Sequence, residues 1–404
     1  DGLWLLDPQD IYVGDSYGSV LSSTLSTALN SSNVILDATG ATISCTGVTC
    51  SAGSVGTGNI FIGGAVTSTG NKTLTLKAAK DIYINAPITG TSGMSLDFQA
   101  NSGSVQINQT VNVSGSLSVA SSGKFVTAYD SSITANAGIT KVAGGGLTSL
   151  GGNLTTTTGN ITINGTAADS SSGSGQRDGL VLATPGTSDQ VTIKTSSGAI
   201  SLTGTGNFTS TSYTTDASGL RLQASGTNSR IQVVSQSGAI GLTGSNLLEG
   251  SGQNYNAISL RSVNAANSIM VGYDGSTAYS GDITITGNSL QQYYDNGGTG
   301  SLSVRTSGAL ALESSGTAFT ALRLTSTSGD PLNFNDDWNF GTDLTRFTLG
   351  KSTNTSNITL GQALSVNGPI SIYGGNITIN NDIIETSTNP STLTLKATGN
   401  ISLS

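Results

Sequence analysis

A short motif recurs along the chain: a small residue, a polar residue, and then two apolar residues separated by one other residue. Such alternation, with a period of two, is typical of a β-strand that buries one face. Gly and Asn surround most copies and indicate turns. The motif therefore predicts many short strands, and it occurs at residues 58–62, 81–84, 159–163, 281–285, 375–379 and 399–403.

The spacing of the copies indicates how these strands are arranged. Ile60 and Ile82 are 22 residues apart, and Ile377 and Ile401 are 24 apart. Residues 197–204 recur at 237–244, and the preceding segment 179–182 recurs with the same displacement of 40. Sequence periods of about 20 to 50 residues indicate solenoids or propellers. A propeller blade needs four longer antiparallel strands, so these short segments favour a solenoid.

We therefore predict an all-β fold, a right-handed parallel β-helix (β-solenoid) with short coils and a few loop insertions. Gly, Ser, Thr and Asn make up about half of the 404 residues, as turns and outward faces of such coils would require. We expect residues 1–404 to be one continuous β-helical segment of a larger protein. Its predicted parts are amino-terminal coils with a Cys pair (1–58), regular coils (59–165), roughly 40-residue repeats (166–290), irregular insertion-bearing coils (291–350) and regular coils (351–404).

Charge and hydropathy narrow the range of partners. The net charge of −8 disfavours nucleic acid and anionic membranes as partners, because both reward basic patches. No apolar run approaches the roughly 20 residues of a membrane-spanning helix, so we expect no membrane insertion. The chain has no His, which removes the commonest catalytic base and metal ligand. We expect no cofactor.

The opening segment, Gly-Leu-Trp-Leu-Leu-Asp-Pro-Gln-Asp-Ile at residues 2–11, resembles part of the exoproteins of the two-partner secretion pathway in Gram-negative bacteria. These are the filamentous-haemagglutinin-like and high-molecular-weight adhesins. The Gly-Asn-Ile-x-Ile and Leu-Thr-Leu-x-Ala units are similar to the β-helical body of the same family. The resemblance implies a secreted cell-surface adhesin with a role in virulence, an outer-membrane transporter as partner during secretion, and a position downstream of the secretion domain.

Two cysteines, Cys45 and Cys50, lie close together in a chain without His. In an exported protein such a pair predicts a disulfide that closes a small loop. The alternative is two unpaired small residues in the core.

Aromatic residues cluster in the least regular part of the chain. Aromatic rings flanked by amides suit carbohydrate stacking or a protein interface, and the alternative is that these rings stack on a loop that covers the helix. The candidate ligand-binding residues are Tyr255, Tyr273, Tyr279, Tyr293, Tyr294 and Trp338.

An acidic segment and a set of glycosylation sequons each have a plainer alternative explanation. Asp330, Asp336 and Asp337 offer oxygen ligands for calcium, but the segment lacks a recognised calcium motif and is more typical of a turn-rich insertion. Asn-x-Ser/Thr sequons predict glycosylation, although several lie at strand starts where Asn serves the turn. The glycosylation candidates are Asn71, Asn108, Asn160, Asn207, Asn357 and Asn376.

Catalysis and ice binding are both disfavoured. Carbohydrate-cleaving β-helices need clustered carboxylates, and we find no pair that recurs on adjacent coils. Ice binding would need a flat face of Thr, whereas the residues between the apolar pairs are mixed, including Phe61, Tyr83, Gln106, Thr162 and Ala311.

We therefore expect a non-enzymatic adhesin segment. It would bind a host cell-surface glycan or protein receptor through the loops and flank of a rod-like β-helix, and act as a monomer. The alternative is a nutrient-scavenging exoprotein of the same route that binds a host carrier protein. A polysaccharide-degrading enzyme is the third hypothesis.

Overall fold

The chain is seen in a computed structural model that describes residues 10–40, 43–50, 56–129, 131–141, 148–167, 178–184, 186–207, 217–247, 255–262, 267–294, 301–323, 333–334, 338–361, 363–387 and 391–403. It divides into two units, residues 1–164 and 165–404. The described residues form 42 strands and one helix.

Unit 1 holds the helix and nineteen strands, the last of which runs a few residues past the unit boundary. The helix is α1 (Ser22–Leu29). The strands are β1 (Ile11–Gly14), β2 (Val20–Leu21), β3 (Val34–Ala38), β4 (Ser44–Thr46), β5 (Ile60–Ile62), β6 (Val66–Ser68), β7 (Thr73–Ala78), β8 (Ile82–Ile84), β9 (Ile88–Gly90), β10 (Ser95–Ala100), β11 (Val105–Ile107), β12 (Val111–Val113), β13 (Ser116–Ser121), β14 (Phe125–Thr127), β15 (Ser132–Ala135), β16 (Gly138–Lys141), β17 (Thr148–Leu150), β18 (Asn153–Thr156) and β19 (Ile161–Ala167).

Unit 2 consists of strands alone within the described residues. They are β20 (Leu180–Thr184), β21 (Gln190–Thr195), β22 (Ile200–Gly206), β23 (Ala217–Ala224), β24 (Arg230–Ser235), β25 (Ile240–Asn246), β26 (Tyr255–Ser262), β27 (Ser268–Val271), β28 (Ile283–Thr286), β29 (Ser289–Tyr294), β30 (Ser301–Val304), β31 (Ala309–Glu313), β32 (Ala321–Arg323), β33 (Asn333–Phe334), β34 (Trp338–Asn339), β35 (Arg346–Leu349), β36 (Ile358–Leu360), β37 (Leu364–Val366), β38 (Ile370–Gly374), β39 (Ile377–Ile379), β40 (Ile383–Glu385), β41 (Leu393–Ala397) and β42 (Ile401–Leu403).

From β5 onward, each coil of unit 1 contributes one strand to each of three sheets. Sheet A has the order β2-β1-β5-β8-β11-β14-β17, sheet B the order β4-β3-β7-β10-β13-β16-β19, and sheet C the order β18-β15-β12-β9-β6. Apart from the antiparallel β3–β4 pair, the recorded pairings of these strands are parallel. The predicted parallel β-helix is confirmed.

Unit 2 repeats this arrangement with longer coils. Sheet D has the order β20-β23-β26-β29-β32, sheet E the order β22-β25-β28-β31-β35-β38-β41, and sheet F the order β34-β30-β27-β24-β21. Two smaller sheets, β33-β36-β39-β42 and β37-β40, complete it.

The spacings between repeated motifs equal the sequence separations of residues that pair between adjacent coils. Ile60 pairs with Ile82, and Ile377 pairs with Ile401. The 40-residue displacement pairs Ile200 with Ile240 in sheet E. Because equivalent residues stack on each other, sequence similarity between coils and physical contact between strands coincide.

Alternate side chains of the strands build the core. In β5, for example, Ile60 and Ile62 are fully buried while Phe61 between them faces outward. The inward Ile, Leu and Val of successive coils therefore form continuous stacks. This is how a chain with only 35% hydrophobic residues maintains a core.

Inward burial depends on a neighbouring coil on each side. β41 and β42 are the last strands of their sheets. Leu393 and Leu403 there are 51% and 73% exposed, whereas Ile370 and Ile379, one coil earlier, are buried. A single coil cannot enclose its own apolar residues, as expected for a solenoid.

The helix α1 covers the outer edge of β6, the end strand of sheet C. Leu25 and Leu29, four residues apart on one helix face, are fully buried. Ser26 Oγ accepts a hydrogen bond from the main-chain N–H of Thr67 at 3.0 Å. Asn30 Oδ1 accepts one from the N–H of Thr69 at 2.8 Å. These bonds satisfy edge groups that a further strand would otherwise pair.

The polar residue of the motif forms a ladder between coils. The side chain just before β1, β5, β8 and β11 of sheet A accepts a hydrogen bond from the main-chain N–H of its equivalent on the next coil. Asp10 Oδ1 accepts from Asn59 at 2.8 Å, and Asn59 Oδ1 accepts from Asp81 at 3.1 Å. Asp81 Oδ1 accepts from Ser104 at 2.6 Å, and Ser104 Oγ accepts from Lys124 at 3.0 Å. On these four coils the polar residue of the motif therefore acts as an acceptor between coils.

We expect Asp81→Leu to lower the free energy of unfolding by about 1 kcal/mol, since it removes one such acceptor. Asp81→Asn is the matched control, because it keeps a side-chain oxygen in the same place. Urea unfolding followed by circular dichroism measures both. Equal losses for the two variants would contradict a role for the ladder bond.

Candidate binding surfaces

A tight turn in unit 2 brings two of the predicted tyrosines together. The turn follows β27 and begins at Gly272, whose φ of +70° suits glycine. Tyr273 forms an isolated antiparallel bridge with Ala278. The main-chain N–H of Tyr279 donates to the carbonyl of Gly272 at 3.0 Å. The turn therefore fixes Tyr273 and Tyr279 near its base.

Asp274 organises the interior of this turn. Its Oδ1 accepts the N–H groups of Ser276 and Thr277, each at 2.9 Å. Its Oδ2 accepts the Tyr279 hydroxyl at 2.6 Å. The bond from Tyr279 and the two main-chain bonds hold the pKa of Asp274 well below its usual range. The same bond raises the pKa of Tyr279. The turn is therefore locked by a carboxylate that stays ionised in mild acid.

Arg305 joins the turn to the next two strands of sheet F. Its guanidinium carbon lies 4.4 Å from the centre of the Tyr273 ring, a cation–π contact. Its Nη2 lies 3.0 Å from Oδ2 of Asp343, and the Arg305 side chain is 22% exposed. Gly341 makes room for this side chain, since a Cβ there would lie 2.4 Å from Arg305 Nε.

We call Tyr273, Asp274, Tyr279, Arg305 and Asp343 the Arg305 cluster. All five are partly or fully accessible at the surface. The cluster combines ring edges and one carboxylate from the preformed turn with a cation and a second carboxylate from the two following coils. This composition suits recognition of a polar ligand through hydrogen bonds and stacking.

The other predicted aromatic residues lie elsewhere on the backbone. Tyr255 begins β26, whereas Tyr293 and Tyr294 end β29 and pair with residues 261 and 262. These two positions are therefore about 20 Å apart along the strand direction. Trp338 begins β34 and pairs with Leu302 in sheet F. The backbone positions of these four residues are therefore divided between sheets D and F.

The calcium candidates Asp330, Asp336 and Asp337 lie outside the described residues. Within the described ranges, no group of three or more acidic or Cys side chains is placed to hold a metal ion.

Cys45 and Cys50 form a disulfide with a Cα–Cα distance of 6.1 Å. Cys45 lies in β4 and pairs with Leu36 of β3. β4 is the end strand of sheet B, so the disulfide closes a small loop at the edge of that sheet.

The glycosylation candidates differ in whether the side-chain amide nitrogen, which would carry a glycan, donates a hydrogen bond. Asn108 Nδ2 donates to Asn85 Oδ1 at 2.8 Å. Asn376 Nδ2 donates to Asn357 Oδ1 at 3.0 Å, in a ladder like that of sheet A. The exposed side chains are those of Asn71, Asn160, Asn207, Asn357 and Asn376. Glycosylation stays a prediction.

An aromatic stack on sheet A escaped the sequence reasoning. The rings of Phe61 and Tyr83 are parallel, with centres 5.0 Å apart, and Tyr12 and Tyr17 stack at 5.7 Å. Burial raises the pKa of Tyr12 and Tyr83. Because Phe61 and Tyr83 are paired in register on adjacent strands, we assign their stacking to cross-strand stabilisation. The 22-residue spacing of Phe61 and Tyr83 is the sequence feature that could have predicted this stacking.

The residues between the apolar pairs, whose mixed character argued against ice binding, belong to different sheets. Phe61, Tyr83 and Gln106 lie on sheet A, whereas Thr162 lies on sheet B and Ala311 on sheet E. Sheet C has its own outward file, which sequence reasoning missed. It consists of Thr67, Thr89, Asn112, Thr134 and Thr155.

Two grooves flank α1 in unit 1. One, of about 540 Å³, lies between α1 and the outward file of sheet C. The other, of about 390 Å³, lies between α1 and the disulfide loop at Gly47, Val48 and Thr49. Both are lined by Ser and Thr of the helix.

No helix in the described part of the chain has the length and apolarity needed to cross a membrane. Comparison with protein families, with curated proteins and with solved structures finds no match to this chain.

Proposed function

We propose that this chain is the binding segment of a secreted bacterial surface adhesin, and that the Arg305 cluster contacts a host cell-surface glycan or protein receptor. The observation that carries the proposal is the packing of Arg305 against Tyr273 of the preformed turn and against Asp343. The route to the cell surface is proposed from the resemblance of residues 2–11 to two-partner secretion exoproteins, whose partner is an outer-membrane transporter.

The cluster has the chemistry that a receptor-binding site needs. Arg and Tyr are the residues that most often dominate binding energy at interfaces, because each combines a large contact area with directed hydrogen bonds. The Asp274 bonds hold the turn in one conformation before a ligand arrives, which lowers the entropic cost of binding.

We expect the double variant Tyr273→Ala/Arg305→Ala to reduce adherence of the purified chain to host cells roughly tenfold or more, since it removes both anchors. The measurement is binding of fluorescently labelled protein to epithelial cells, with circular dichroism to verify the fold. Tyr129→Ala/Lys124→Ala is the matched control, because it removes an exposed tyrosine and a cation from unit 1.

Unchanged adherence of the cluster variant would overturn the proposed surface. A glycan array and a pulldown from host membrane extract then separate the two receptor classes. Capture of a serum carrier protein without cell adherence would instead favour nutrient scavenging.

A further inference from the structure

The larger of the two α1 grooves is built almost wholly from uncharged polar side chains. Ten of its eleven lining residues carry a hydroxyl or an amide, and the other is Ala65. Its volume of about 540 Å³ falls within the range of ligand-binding clefts. None of the lining residues is charged or aromatic.

The walls of this groove are fixed in place. The helix side is tied to β6 through Ser26 and Asn30, which accept the main-chain N–H groups of Thr67 and Thr69. The Ser68 hydroxyl donates to the carbonyl of Leu29 at 3.0 Å. The groove is therefore preformed, and a ligand would not have to order it.

Several hydroxyls that line the groove are available to a ligand. Among the described residues, the hydroxyls of Thr67, Thr89 and Thr91 have no hydrogen-bond partner and are accessible to solvent. Thr67 and Thr89 are paired in register on adjacent coils, which sets them about 4.8 Å apart. Each offers one donor, two acceptor lone pairs and a methyl group.

We propose that this groove binds an uncharged oligosaccharide. The pyranose units of such a ligand alternate hydroxyl groups with C–H surfaces, which match the hydroxyl and methyl groups of the Thr wall. An anionic ligand would find no cation to compensate its desolvation, and a lipophilic ligand would leave the wall hydroxyls unpaired. The site lies in unit 1 and does not depend on the Arg305 cluster.

The test uses the full chain and defined probes. Cellohexaose, maltohexaose, mannohexaose and N-acetylchitohexaose are titrated by calorimetry, with oligogalacturonate and heparin hexasaccharides as charged comparators. We expect saturable binding of at least one neutral probe. Thr67→Val/Thr89→Val removes two hydroxyls while keeping side-chain shape, and we expect it to weaken that binding about tenfold or more.

The matched control is Thr134→Val/Thr155→Val, in the same outward file but outside the groove. We expect it, and the Tyr273→Ala/Arg305→Ala variant, to bind the neutral probe as the parent chain does. Failure of all four neutral probes, tighter binding of the charged ones, or equal losses for the two Thr pairs would each overturn the proposal.

Discussion

Replacing Lys141 with Met will raise the free energy of unfolding at pH 7 by about 3 kcal/mol. Lys141 is fully buried at the end of β16, in register with Val119 and Ile163 of the inward stack. Its Nζ has no hydrogen-bond partner among the described residues. Burial lowers its pKa from 10.5 to about 8, because the charged ammonium loses its hydration.

The sign of the pH dependence follows from this lowered pKa. Between pH 8 and 10.5 the unfolded chain binds more protons than the folded chain, so the stability of the parent rises with pH across that window. Below the folded pKa the full penalty is present. The difference between parent and Lys141→Met should therefore be largest at pH 7 and shrink as pH rises.

Urea unfolding at several pH values from 7 to 10.5 measures this effect. Lys124→Met is the control, because the side chain of Lys124 is exposed and its substitution should leave the pH profile of the parent unchanged. A constant difference between parent and Lys141→Met across the whole range would contradict the assignment.

Replacing Asp178 with Asn will destabilise the chain by about 3–5 kcal/mol, since it removes a carboxylate charge that is paired with a buried guanidinium. The Asp178 carboxylate pairs with Arg221 Nη2, and the two side chains are 0% and 5% exposed. Asp178 Oδ1 also accepts the main-chain N–H of Ser218 at 2.9 Å. The amide of Asn can replace that bond but not the charge.

The double variant Asp178→Asn/Arg221→Met should recover most of the lost stability, because it removes the buried guanidinium charge as well. Asp343→Asn breaks the exposed pair with Arg305 and should cost no more than about 1 kcal/mol. The midpoints of urea unfolding compare the three variants. Similar losses for Asp178→Asn and Asp343→Asn would show that burial of the first pair does not matter.

The sequence repeats alone predict which strands pair between coils, because stacked coils put equivalent residues into contact. The 22-, 24- and 40-residue spacings correspond to the observed registers. Arg221 shows the limit of this reasoning. It stands between Leu220 and Leu222, a position that the alternation assigns to the outward face, yet it is 4% exposed. Alternation predicts which face of the sheet a side chain lies on. It does not predict whether other residues cover that face.

The candidate sites were less accessible to sequence reasoning. Tyr273 and Tyr279 were found because aromatic residues concentrate in that segment. Arg305 and Asp343 are 32 and 70 residues beyond Tyr273, and only the register of sheet F brings them to the same turn. The α1 groove was missed because its helix wall and its strand wall come from different coils.

The sequence by itself determined that the chain is a stack of short parallel strands, because a period of two within strands and a fixed spacing between them leave few other ways to bury the apolar residues. Tertiary structure alone decided which outward residues share a sheet, which polar groups are buried, and where α1 replaces a strand. Those outcomes depend on contacts between residues of stacked coils that are far apart in sequence, and local patterns do not encode these contacts.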